Sequence, residues 1–302
     1  MRIDIPAEVA DCTVIASVSG GKDSTALMLA LREAGVPFRA VFADTGWEAP
    51  ETYAYLDTLR KAIGPIDVVH PKRDMLTSIR HRAGFPGRMQ RWCTKELKLM
   101  PLRAYHDAVG GETISAMGVR ADESEARSKM PIWADDDEWG GYVWRPLLHW
   151  TVDDVVAIHR RHGVPMNPLY HRGFDRVGCF PCIFARKEEI RLLPEERIAE
   201  IEALEAEMTA ERARRNAETP GRYAHPEATF FQTRNVGRTM GIREIAAWAK
   251  TERGGRQLPL LQPLPQGGCM RWGTCEAPPT DASGVVTGAP FDEPQNGVKG
   301  VE

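Results

Sequence analysis

Ser17-Val18-Ser19-Gly20-Gly21-Lys22-Asp23-Ser24-Thr25 follows an apolar, β-branched run, Cys12-Thr13-Val14-Ile15-Ala16, and leads into Ala26-Leu27-Met28-Leu29-Ala30-Leu31-Arg32-Glu33, a strong helix-forming segment. The order is strand, tight turn, helix. Two adjacent glycines let the backbone turn sharply and approach a ligand with no Cβ in the way. The hydroxyls of Ser19, Ser24 and Thr25, the Lys22 ammonium and the first N–H groups of the helix then converge, which makes an anion site. An ordinary strand-to-helix turn would need the glycines but not the lysine, the aspartate and three hydroxyls.

Outward from this loop, strands are predicted over 12–18, 38–43, 66–70 and 113–119, with helical patterns at 24–34, 50–63 and 94–108. Strands alternating with helices imply a doubly wound α/β fold with a parallel sheet and right-handed crossovers. In such a sheet the ligand lies at the carboxyl ends of the strands. The loop at 17–24 sits at such an end, as do Asp44-Thr45-Gly46-Trp47 and Gly118-Val119-Arg120. Further on, a short helix over 151–163 is N-capped by Thr151, and a charged helix runs from Pro194 to Asn216. The latter carries Ile198, Ile201, Leu204 and Met208 at helical spacing, which reads as core packing. A last helix spans 242–252, and residues 277–302, rich in Pro, Gly, Ser and Asp, read as a disordered tail.

The chain has 302 residues, 42% hydrophobic and 27% charged, with a net charge of −3. That suffices for one large α/β domain plus an appendage, and argues against a wholly basic nucleic-acid-coating protein. Residues 72–103 depart from the average, with nine Lys or Arg against two acids, Asp74 and Glu96. This segment is either a solvated basic face or a surface for nucleotide phosphates or a polynucleotide backbone. With no signal-peptide core and no apolar run long enough for a bilayer, the expected location is the cytoplasm. Thiols stay reduced there, so six cysteines point to ligands or catalysts.

Ser19-Gly20-Gly21-Lys22-Asp23-Ser24 resembles the pyrophosphate-binding loop of the ATP pyrophosphatase superfamily. It is not a GxxxxGK[ST] P-loop, because no glycine precedes Gly-Lys at that spacing. Phe42-Ala43-Asp44-Thr45-Gly46-Trp47-Glu48, Trp92-Cys93-Thr94-Lys95-Glu96-Leu97-Lys98, Gly118-Val119-Arg120-Ala121-Asp122-Glu123-Ser124-Glu125-Ala126-Arg127, Arg145-Pro146-Leu147-Leu148-His149-Trp150, Asn167-Pro168-Leu169-Tyr170 and Arg176-Val177-Gly178-Cys179-Phe180-Pro181-Cys182 follow in order. Together they resemble the phosphoadenosine phosphosulfate (PAPS) reductase-like family of that superfamily, over residues 12–185. The resemblance implies an adenine nucleotide alpha hydrolase-like (HUP-like) nucleotide-binding domain over 1–185. A helical, cysteine-bearing region would follow over 186–276, closing on a metal site.

Two departures separate this chain from the family's sulfonucleotide reductases. Gly21, Lys22 and Asp23 are intact where reductases have lost that core, and no Glu-Cys-Gly-[Ile/Leu]-His segment is present. Both favour an enzyme that cleaves ATP, similar in type to the iron–sulfur sulfur-transfer members such as the DNA phosphorothioation subunit. The resemblance then implies roles for individual residues. Lys22 would neutralise the β,γ-phosphates, Asp23 would orient it or hold Mg²⁺, and Asp44 would be a second Mg²⁺ candidate. Ser19, Gly20, Gly21, Ser24 and Thr25 would line the phosphates. Arg120 and Arg127 would clamp a phosphate, or else pair internally with Asp122 or Glu123. Lys98 would contact substrate phosphate. Cys93, Cys179 and Cys182, with Cys275 or Cys269, would ligate a [4Fe–4S] cluster; zinc is the alternative, because soft thiolates suit both. The expected activity is ATP-dependent, pyrophosphate-releasing adenylation for sulfur transfer, with a nucleic-acid acceptor on 72–103 and a sulfur-donor protein as partners. Reduction of PAPS or adenosine phosphosulfate is one alternative, and a non-catalytic nucleotide- and metal-binding module another.

Overall fold

A computed structural model describes residues 2–136, 141–232, 234–235 and 238–252. Its elements run β1 (Thr13–Val18), α1 (Lys22–Glu33), β2 (Phe38–Ala43), α2 (Pro50–Ala62), β3 (Ile66–Val69), α3 (Met75–Arg82) and α4 (Trp92–Thr94). A π-helical turn, Lys95–Leu99, joins α4 to α5 (Met100–Val109). Then come β4 (Thr113–Ala116), α6 (Glu125–Ser128), β5 (Trp133–Asp136), β6 (Gly141–Trp144), α7 (Val152–Arg161) and α8 (Pro168–His171). The chain continues through α9 (Lys187–Arg191), α10 (Glu195–Glu218), the short pair β7 (Arg234–Asn235) and β8 (Arg238–Thr239), and α11 (Ile242–Ala249).

The main sheet has the order β3-β2-β1-β4-β6-β5, with every pair parallel except the antiparallel edge pair β5–β6. The doubly wound α/β expectation holds. Strands β5 and β6 were not anticipated, and β4 stops at Ala116, short of the predicted 119. Strand β1 is central and buried on both faces: Val14, Ala16 and Val18 enter the core beneath α1, α2 and α7, while Ile15 enters a smaller one with Val41, Val143 and Leu102 of α5. A parallel strand covered on both sides reads as a continuous apolar run, which is how this one was found. The order reverses at β1–β4, so the carboxyl ends of these two strands flank a crevice.

A separate apolar cluster carries the C-terminal helices. Ile198, Ile201, Leu204 and Met208 of α10 are all buried, together with Ile242, Ile245, Ala246 and Ala249 of α11. They pack on Trp47, Met75, Ile79, Phe85, Leu97 and Phe180, so this packing crosses residue 185. Glu205 lies inside the cluster, accepting from the N–H groups of Phe230 (2.8 Å) and Ile242 (2.9 Å). Burial pushes its carboxyl up against those hydrogen bonds. Cys269, Cys275 and the stretch 277–302 lie outside the described residues.

Candidate nucleotide and thiol site

The β1–α1 loop is held from behind by residues far away in sequence. Gly20 adopts φ +72°, and a Cβ there would meet Thr52 Cγ2 at 2.8 Å, so both backbone and space require glycine. Asn167 Nδ2 donates to the Gly20 carbonyl (3.0 Å), and the Lys22 N–H donates to Tyr170 OH (3.1 Å). His159 Nε2 faces the Lys22 carbonyl at 2.9 Å, with Nδ1 toward the Val164 carbonyl at 3.1 Å. Burial pushes that imidazole's pKa down. Ser24 and Thr25 hydroxyls donate to the Gly21 carbonyl (3.0 and 3.1 Å), and Ser19 Oγ lies 3.2 Å from Ser24 Oγ. Gly21, the N-cap of α1, supplies no side-chain cap, and the Lys22 N–H is taken instead by Tyr170 OH.

A line of alternating charge crosses the crevice. Lys22 Nζ lies 2.8 Å from Asp23 Oδ2, and Asp23 Oδ1 accepts from Arg120 Nε at 2.5 Å. Arg120 Nη1 continues to Asp122 at 2.6 Å. Burial pushes the Asp23 carboxyl up, but Lys22 and Arg120 outweigh it and hold it below the usual carboxylate range. Burial likewise works against the Arg120 charge, and Asp23 and Asp122 more than restore it. Arg120 is only 2% exposed. Its structural role is to position Asp23, and its guanidinium is already engaged by two carboxylates. Arg127 is ion-paired with Glu123, the internal pairing named as the alternative for these arginines.

After β2, Asp44 Oδ1 accepts from the Gly46 N–H (2.9 Å) and Tyr53 OH (2.7 Å), while Glu48 gathers Thr45, Trp47 and Tyr53. Asp44 therefore shapes the strand-end turn and still borders an open cavity of about 380 Å³ with His70, Lys72, Arg73 and Thr77. Burial, reinforced by Asp44 and Glu48, pushes the Tyr53 phenol far up.

Glu48 links this edge to the cysteines through an antiparallel bridge to Cys179, and the Phe180 N–H donates to Trp47 O at 2.8 Å. The Cys93, Cys179 and Cys182 thiols lie within electrostatic reach of one another. Burial pushes Cys93 and Cys179 up, and Lys98 opposes this. Cys179 in turn pushes Lys98 up, against burial, through charge and a hydrogen bond. The π turn Lys95–Leu99 contains Lys98, and such turns recur at functional sites. In donor chemistry, three soft thiols beside a cation suit an iron–sulfur cluster or zinc. Among the described residues, no three His, Cys, Asp or Glu side chains stand as a ready-made metal ligand set.

The sequence profile of the phosphoadenosine phosphosulfate reductase domain matches residues 13–185. This chain belongs to the PAPS reductase family. An Escherichia phage 186 protein, the 37.8 kDa protein of the gpa 5′ region, is 34% identical, covering 82% of this chain and 91% of its own length. The adenosine 5′-phosphosulfate reductase of Allochromatium vinosum is 28% identical over 56% of this chain and 68% of its own. Among solved structures, the PAPS reductase of Candida auris in a phosphate complex overlaps 58% of this chain and 84% of its own, at 19% identity and a TM-score of 0.48. Named members of the family are thus enzymes acting on adenine nucleotides in sulfur metabolism. Among the described residues, no helix is long and apolar enough to cross a membrane.

Asn167 and Tyr170 stand in the motif Asn167-Pro168-Leu169-Tyr170 with no role attached to them, and His159 falls within the short helix over 151–163. In the structure all three hold the backbone of the β1–α1 loop, a job with no local signature.

Proposed function

We propose that this protein binds ATP at Ser19–Thr25, cleaves it between the α- and β-phosphates, and uses the resulting adenylate for sulfur transfer. The Lys22–Asp23–Arg120 line carries the reading. A fixed cation at the head of α1 stabilises the charge developing on departing pyrophosphate, and the buried Asp23 keeps that cation in place. An acceptor oxygen attacks the α-phosphorus, the bond to the β-phosphate oxygen breaks, and pyrophosphate leaves with both electrons. A sulfur nucleophile then displaces AMP from the acceptor. Mg²⁺ would be held at the loop, with Asp23 or Asp44 as the carboxylates within reach of it.

Cys93, Cys179 and Cys182 are the residues that would hold an iron–sulfur cluster, with Cys269 or Cys275 as the fourth ligand. Such a cluster supplies a thiophilic iron site when bound, with zinc as the structural alternative. Lys98 would balance its negative charge and face the substrate phosphate. The acceptor we favour is a nucleic acid, because of the basic segment 72–103, with a sulfur-donor protein as a second partner.

A second reading, reduction of adenosine phosphosulfate or PAPS, draws on the names of relatives such as the Allochromatium vinosum enzyme. The two are separated by incubating anaerobically purified protein with ATP and Mg²⁺, or with either sulfonucleotide plus reduced thioredoxin. Pyrophosphate from ATP supports adenylation. Sulfite from the sulfonucleotide, with ATP untouched, overturns it in favour of the reductase.

A further inference from the structure

The basic segment divides in the folded protein. Arg80 is ion-paired with Glu207 of α10 and Arg82 with Glu96, so these charges are satisfied within the molecule. Arg88 and Arg91 are placed differently. The Gly87 N–H donates to Gln90 O (3.2 Å) and the Gln90 N–H to Gly87 O (3.1 Å), a closed turn that puts Arg88 and Met89 at its tip. Its base is fixed: Phe85, Pro86 and Gly87 are buried, Gln232 donates to Phe85 O (3.0 Å), and a Cβ on Gly87 would strike Gln232 at 2.8 Å. The tip is open, and Met89 is 95% exposed.

Both guanidiniums lie over one ring, that of Phe184, at 5.8 Å for Arg88 and 5.0 Å for Arg91. The Phe184 N–H in turn points at Cys182 Sγ, 3.5 Å away. Through Phe184 the turn is thus one residue removed from Cys182. An arginine resting on an aromatic face keeps edge N–H groups for an oxyanion, and two phosphate oxygens match that fork; Arg91 spends one of its donors on Thr94 Oγ1 at 3.2 Å. A solvent-exposed methionine between two such arginines has no packing role in the monomer. In nucleic-acid readers, apolar side chains of this kind wedge against bases while neighbouring arginines take the flanking phosphates.

We propose that the Arg88-Met89-Gln90-Arg91 turn is a nucleic-acid docking element, with Arg88 and Arg91 on the backbone phosphates and Met89 against a base, delivering the strand to the thiol site. This rests on the nucleic-acid acceptor reading above and names the surface that would serve it. An acidic protein would use the arginines but not the apolar tip.

The test is fluorescence anisotropy of the full chain with a fluorescein-labelled oligonucleotide, single-stranded and duplex, across a salt series. Arg88→Ala/Arg91→Ala is expected to weaken binding about tenfold at moderate salt and to flatten the log K against log salt slope by about one to two. Met89→Ala should weaken binding without changing that slope, and Arg80→Ala should leave it unchanged. No binding by the wild type, equal losses in the Arg80 variant, or displacement by polyglutamate as readily as by unlabelled oligonucleotide would overturn the proposal. Pyrophosphate release from ATP alone is measured in parallel. Its absence with docking intact counts against adenylation only, whereas lost docking specificity with release intact counts against the turn.

Discussion

Gly118, two residues past the end of β4, runs so close to Asp23 that a methyl group on its Cα would sit 2.6 Å from the Asp23 carbonyl oxygen. The two lips of the crevice thus meet through bare backbone. Gly118→Ala is expected to push the phosphate loop out of place, because the obstacle is backbone and cannot rotate away. ATP affinity, measured by isothermal titration, should fall at least tenfold while the far-UV spectrum is unchanged. Unaltered affinity would show that the loop tolerates the displacement.

Lys22→Ala is expected to reduce pyrophosphate release by about 10²-fold or more, because it removes charge from the transition state. A rate within a few-fold of wild type in a single-turnover assay would remove Lys22 from the chemistry.

Arg120→Met strands Asp23 and Asp122 without their shared cation. Removing one partner of a buried pair costs ~3–5 kcal/mol. Urea denaturation should show a loss of that order, less the part that solvent around the half-exposed Asp122 screens. Arg120→Lys should recover some of it, since one ammonium can reach a carboxylate but cannot bridge two as the planar fork does.

Tyr170→Phe leaves the Lys22 N–H without its acceptor in a buried place, at ~1–3 kcal/mol. The cost should appear mainly as lower thermal stability of the unliganded protein, and saturating ATP should restore much of it, because bound phosphate can take over as acceptor. A stability loss of the same size with and without ATP would show that the phosphates do not reach this N–H.

His106, buried beside Thr113 (Nδ1 to Oγ1 2.9 Å), is pushed down from 6.5 to about 4 by burial. Its folded form binds fewer protons than its unfolded form between these values. Stability is therefore present above pH 6.5 and declines as pH falls toward 4. The span corresponds to ~3 kcal/mol. Melting temperature measured from pH 7 to pH 4.5 should fall for wild type and fall less for His106→Gln.

Much of the α/β frame was legible because its signals are local. The run Thr13–Val18 is apolar on both faces, the loop glycines follow it, and Ala-Leu-rich α1 follows them. Strand β5 escaped because the aspartates in Trp133–Asp136 disfavour a strand on composition, and β6 because Gly141 leaves only Tyr142, Val143 and Trp144 to signal one. Helix α3 escaped because it is only eight residues long and ends in Arg80-His81-Arg82, although Asp74 caps it by accepting from the Thr77 N–H.

By itself the sequence determined the alternation of β1 to β4 with their helices, the position of the glycine-rich β1–α1 loop and the family to which the chain belongs. Each depends on residues adjacent in the chain, where periodicity and turn chemistry act. Only the tertiary structure decided partners. Arg120 reaches Asp23 across 97 residues, and Tyr170 reaches Lys22 across 148. It also decided which cations of 72–103 are neutralised by α10 and Glu96 and which stand over Phe184. Charge pairing follows spatial proximity, and proximity across such separations is created by the winding of the sheet, which leaves no trace in local composition.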